Sequence, residues 1–180
     1  MSRDPENVAA LLSSLRSKDA DASYGALRKI LETPAPAAEH SLAFHLWALL
    51  AYRQGHVQIG ADTLERASHL ERDAGYPESA GHTLHAVALF GNVNGDVDKV
   101  RSYYRQSLDQ LKKMKNFAGM GLCLRSLGEM ALAAGLVDQS RTILSRSAQC
   151  LSKARPAEAP LVEIWLSLLP DPCKTDRTDR

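Results

Sequence analysis

The 180-residue chain is short of most features that would announce a chemistry or a compartment. It has three cysteines, Cys123, Cys150 and Cys173, far apart and outside any CxxC or Cys/His ligand spacing. That leaves no disulfide framework and no structural zinc site to expect. The first two fall in helical patterns as small core residues, and Cys173 in a polar tail as an exposed thiol. Lysine plus arginine exceed aspartate plus glutamate by 22 to 21, so no global field draws the chain toward nucleic acid or an anionic membrane. No apolar run approaches the roughly 18–20 residues that cross a bilayer. The opening MSRDPENVAALL carries acids and a proline where a secretory signal needs a basic and then strongly apolar run, so a cytoplasmic location is the expectation.

Catalytic motifs are missing too. There is no GxSxG, P-loop, HExxH or GxGxxG, and GMGLCL sits at a helix start with no strand before it. No carboxylate pair or Ser/His/Asp set stands out, so no enzyme and no cofactor are expected. Sustained alternation with β-branched residues is lacking as well, which excludes a sheet and leaves an all-α chain.

What the chain does have is a period. RQGHV, VNGDV and AAGLV each place a glycine (Gly55, Gly95, Gly135) two residues before a valine, at forty-residue intervals. Aligned on these glycines, Phe44, Leu84 and Leu124 share a column, and Trp47, Val87 and Leu127 the next. Ala48, Ala88 and Gly128 follow, then Ala51, Gly91 and Ala131. The steps i, i+3, i+4, i+7 write one buried helical stripe three times, and the tiny-residue column predicts close backbone approach. Downstream, Leu64, Tyr104 and Leu144 form a large apolar column and Ala67, Ser107 and Ser147 a small one. Glycine between two such stripes suits a tight helix–helix turn, and Asp96 is placed to cap the helix after it.

The pattern predicts helix–turn–helix units at 37–75, 77–114 and 117–154. Residues 1–34 read as an atypical helical pair outside this register, with helices near 5–17 and 19–32, and TPAPAA breaks the chain after them. A capping helix is expected over 157–169, with Leu161, Ile164, Trp165 and Leu168 on its inner face, followed by a disordered tail at 170–180. About nine helices result.

These blocks resemble tetratricopeptide repeats. LRSLGEMALAAGLVDQSRTILSRSA, Leu124–Ala148, is similar to that family's W…LG…Y…A…F…A pattern, with Leu127-Gly128 as its Leu-Gly pair. The period is forty, and the longer form resembles repeats of kinesin light chains and of bacterial MalT-type regulators. The resemblance implies a right-handed α-solenoid, a superhelix of stacked antiparallel helix pairs, in which the first helix of each pair lines a concave groove.

A second 3-4-3 stripe on those first helices marks the candidate groove surface: Leu42, His45, Leu49 and Tyr52, with Arg53 beside them; His82, His85, Leu89 and Asn92; and Leu122, Arg125, Glu129 and Leu132. One column of the repeat reads His45, His85, Arg125, a ladder of donors. Leucines, a tyrosine and cations suit an extended peptide or amphipathic helix with some acidic residues. The groove columns lack the lysine- and asparagine-rich clamp of chaperone-binding repeats. His82 and His85 stand at i, i+3, but too few ligands accompany them for a metal site. The basic segment KVRSYYRQSLDQLKKMK reads as a solvated helix face, so no nucleic-acid partner is expected. The expected function is a protein-interaction adaptor, with a ligand-sensing module for a small molecule or signal peptide as the alternative. Association of copies through the last helix is a further expectation, because no repeat follows to cover it.

Overall fold

The computed structural model describes residues 20–170 apart from Asn94; the expected helix at 5–17, the tail after Pro170 and Cys173 lie outside the described residues. Eight helices and no strand occur among the described residues: α1 Ala20–Glu32, α2 Ala37–Arg53, α3 Val57–Asp73, α4 Pro77–Val93, α5 Val97–Lys113, α6 Phe117–Ala133, α7 Val137–Ala154 and α8 Ala159–Leu168. None is long and apolar enough to cross a membrane.

The six central helices start at 37, 57, 77, 97, 117 and 137, so the backbone repeats every twenty residues, half the period visible in the side chains. The turns explain why. Gly55, Gly75, Gly95 and Gly135 have φ of 80°, 82°, 78° and 74°, and the fourth turn places Lys115 at 55°. At the first turn the Gly55 amide donates to Tyr52 O at 3.0 Å and the His56 amide to Ala51 O at 2.8 Å. This pair of bonds closes the helix end through one left-handed residue, and glycine adopts that conformation without a Cβ penalty. The same two bonds recur at Gly75, Lys115 and Gly135. Turns of three residues between neighbouring helices force antiparallel pairing. As expected, Asp96 caps α5, its Oδ1 accepting from the Lys99 amide at 3.1 Å. Asn116, twenty residues on, caps α6 through the Gly119 amide at 2.8 Å.

The chain divides into two compact units, one up to Tyr103 and one from Tyr104 onward. In the first, Leu27, Ala43, Leu46 and Leu50 form a core flanked by Tyr24 and Trp47, whose rings lie 4.9 Å apart. Leu64, Ala67, Val87 and Ala88 are buried as the columns require. The tiny-residue column also performs as expected: a Cβ on Gly60 would come within 3.1 Å of Ala48 O.

In the second unit α6 and α7 approach through glycine. A Cβ on Gly128 or Gly121 would stand 2.6 Å from side-chain carbons of Leu144 or Leu151. Ser140 and Ser147 lie one helical turn before those leucines and donate to Gly128 O at 2.8 Å and Gly121 O at 2.7 Å. Cys123 is buried against Ser107, Oγ to Sγ 3.1 Å, and burial pushes its thiol up to about 11, an unreactive core cysteine. One expectation fails here. α8 packs Ala159 and Val162, with Leu169 just past its end, on Leu144 and Leu151, while Leu161, Ile164, Trp165 and Leu168 face outward. The helix is apolar on both sides, so helical spacing fitted either stripe.

Candidate functional site

In the first unit α2 and α4 lie side by side. His45 of α2 reaches Thr83 of α4, Nε2 to Oγ1 3.1 Å, and the Tyr52 and Phe90 rings stand 5.2 Å apart. Leu42, Leu49 and Tyr52 on α2, and Leu89 on α4, are 37%, 45%, 49% and 49% exposed, large apolar side chains left outside the core. Arg53 and His82 are exposed and His85 is half-buried. Asn92 lies in α4, with its side chain outside the described residues.

His45 is engaged from behind. Glu71, in the last turn of α3, is 4% exposed and accepts three hydroxyl hydrogen bonds: from Ser41 of α2 at 2.6 Å, and from Ser79 at 2.8 Å and Thr83 at 2.7 Å, both of α4. His45 Nε2 stands 3.4 Å from the same carboxylate. Burial alone pushes the Glu71 carboxyl upward, but hydrogen bonds from His45, Ser41, Thr83 and Ser79 outweigh it and bring the carboxyl down to about 2. All three hydroxyls donate to one buried carboxylate, and with its carboxyl near 2 Glu71 accepts these bonds as a weak base. Three helices are tied together at one ionised group.

Glu71 is not among the residues that the helical stripes single out, although the register contains its signal. Forty and eighty residues further on stand Leu111 and Leu151, both fully buried, so a carboxylate occupies a core column. Ala43, Thr83 and Cys123 form another buried column, in which the single hydroxyl is the one that reaches Glu71.

In the second unit, the candidate residues on α6 form a more polar set. Arg125 Nε lies 3.5 Å from Glu129 Oε1, an i,i+4 pair with both side chains part-exposed. Leu122 and Leu132 pack against the Leu144–Leu151 core, so they serve the interior of that unit. No group of three His, Cys, Asp or Glu suited to a metal ion occurs among the described residues.

No protein-family model matches the sequence. Among solved structures, BtubC (BKLC) from P. vanneervenii aligns with a TM-score of 0.72 at 17% identity, covering 91% of this chain and 73% of that one. The nearly identical TPR-like repeats of a Podosopora anserina protein described as a kinesin light chain align with a TM-score of 0.68 at 15% identity, covering 93% and 86%. The fold is that of tetratricopeptide repeats. A tetratricopeptide-type α-solenoid is thus the architecture of this all-α chain, and the likeness to kinesin light chain repeats holds at the level of structure. Photosystem I assembly protein Ycf3 from Cyanophora paradoxa is 27% identical over 111 residues, 61% of this chain and 62% of that protein. The match thus spans less than two thirds of that protein's own length.

Proposed function

We propose that this protein is a non-enzymatic interaction adaptor whose α2/α4 face binds a peptide or an amphipathic helix of a protein partner. The observation that carries the reading is the row of exposed apolar side chains, Leu42, Leu49, Tyr52 and Leu89, on two helices held side by side. Exposed apolar side chains grouped on one face, rather than scattered singly, mark interaction surfaces. Arg53, His82 and His85 border the row and supply polar contacts, and in the second unit Arg125 and Glu129 on α6 form a charged set of their own. The partial match to a photosystem I assembly protein supports a role in bringing proteins together. Binding is non-covalent, since the chemistry-bearing residues of the face serve as donors and packing surfaces.

The test replaces side chains that project from the surface and do not support the core. A benzoylphenylalanine cross-linker at Leu49 or Leu89 should trap the partner, and the same group at exposed Leu136 should not. Leu49→Glu with Leu89→Glu should weaken the complex at least about tenfold, the loss expected of central apolar contacts. Full-strength binding by that double variant, with its fold intact by circular dichroism, would sink the assignment.

A further inference from the structure

A different surface of the first unit carries its own recognition chemistry. Where α2 and α3 meet the end of α1, a cleft of about 270 Å³ opens with apolar walls of Leu31, Phe44, Trp47 and Ile59. Trp47 is held in place by Tyr24, whose hydroxyl donates to Gln54 Oε1 at 3.1 Å. Ile59 is 51% exposed at the rim, while Thr63 is buried with its hydroxyl donating to Ile59 O. The cleft falls below the roughly 300–1,000 Å³ of small-molecule sites and suits one or two large side chains.

The rim also holds Arg66. Its guanidinium carbon sits 5.0 Å from the centroid of the Phe44 ring. Asp62 is four residues before it on α3, at the spacing of a common helical ion pair, yet the pair does not form. Asp62 Oδ1 is taken by the Gln58 side-chain amide at 2.6 Å, and Glu65 stands near Tyr103, whose ionisation burial and that carboxylate push upward. Among the described residues Arg66 therefore has an aromatic face beneath it and no carboxylate on its N–H donors. A guanidinium so placed presents a rigid fork matched to a carboxylate.

We propose that this cleft is a second docking site, independent of the α2/α4 face. It takes an acidic peptide segment in which a large apolar side chain stands next to aspartate or glutamate. The apolar side chain enters between Trp47 and Ile59, and the neighbouring carboxylate bridges to Arg66. Asp62 lines the same cleft with Oδ1 occupied by the Gln58 amide and keeps its charge, so the N–H donors at the rim belong to Arg66 and the peptide carboxylate must approach on the Arg66 side.

The experiment uses the full chain carrying Trp165→Phe, which leaves Trp47 as the one indole, and follows its fluorescence. The probes are glycine/serine-flanked peptides carrying Phe-Glu, Phe-Gln or Phe-Lys. Phe-Glu should bind about two to five times more tightly than Phe-Gln, the difference made by an ion pair to an exposed guanidinium. Arg66→Gln should erase that preference and Arg66→Glu should reverse it toward Phe-Lys, with thermal unfolding unchanged because Arg66 is exposed. Equal affinity for the three peptides, no binding, or a preference that survives Arg66→Gln would overturn the proposal. So would binding that appears only after residues 1–19 are removed, because the occupant would then be the chain itself. Leu49→Glu with Leu89→Glu serves as the control and leaves Phe-Glu binding at full strength, so either site can fail without the other.

Discussion

Glu71 shows how a single residue changes the meaning of its neighbours. The 3-4-3 spacing put His45 on the outward stripe of α2, and the side chain is indeed part-exposed, yet its Nε2 is committed to Thr83 and Glu71. Spacing within one helix cannot reveal a partner on another helix; only the column shared with Leu111 and Leu151 carried that information. The carboxyl lies at about 2 in the folded chain and near its ordinary 4.5 when unfolded. The unfolded state therefore binds the proton more readily, and Glu71 stabilises the fold fully above about pH 5. That contribution, on the order of 2–3 kcal/mol, is lost as the pH falls through 4.5 toward 2. Urea unfolding of wild-type and Glu71→Leu proteins should thus differ most at neutral pH and converge near pH 2. Adding Ser41→Ala and Thr83→Val should recover part of the loss at pH 7, since hydroxyls deprived of their acceptor account for much of it. Lys115 offers the opposite sign. It is the non-glycine in the row of left-handed turn residues. Lys115→Gly removes a strain of about 1–2 kcal/mol at a chain-entropy cost of about 0.5–1 kcal/mol. A net gain of about 0.5–1 kcal/mol should be measurable by denaturant midpoint.

At the scale of helices and turns the sequence was most legible, and the reason is physical. A tight turn between antiparallel helices needs a left-handed residue at one defined place, and glycine records that need directly. Gly55, Gly95 and Gly135 stand out in the forty-residue register and the intervening Gly75 and Lys115 do not, because side chains repeat over pairs of helices while the backbone repeats over single ones. Burial columns were equally clear where residues are small. Ala48, Ala88 and Gly128 sit where backbones approach, and Gly128 is the extreme case, with Leu144 filling the space of a Cβ. Gly128→Val should cost about 2–3 kcal/mol through overpacking. Hydrogen exchange should locate the damage in α6 and α7, while protection in α2 and α3 stays at wild-type level. Uniform loss across all helices would mean that this seam does not act locally, against the nearest-neighbour energetics of repeat proteins.

For the molecule as a whole, the unresolved balance lies at α8. Its sequence APLVEIWLSL has Glu163 as its one charged residue, and apolar groups surround the axis. Such a helix is stable in water only if both sides are covered. Val162, Leu166 and Leu169 are covered by the Leu144–Leu151 core, and Leu161, Ile164, Trp165 and Leu168 are 55%, 56%, 45% and 74% exposed. A second copy is the occupant with the simplest electrostatics. A two-fold interface brings each charge against its own copy, and a patch with almost no charge meets no such repulsion. Because the patch comprises four side chains, well short of the roughly 800 Å² per partner of a stable complex, the association should be weak and concentration-dependent. Sedimentation of the wild-type chain should show a monomer–dimer equilibrium that Ile164→Glu with Leu168→Glu shifts at least about tenfold toward monomer. The double change should leave the melting temperature of the monomer in place, because neither side chain supports the core. A wild-type chain that stays monomeric at high concentration, or a dimer indifferent to both carboxylates, would assign that outer face to a different partner.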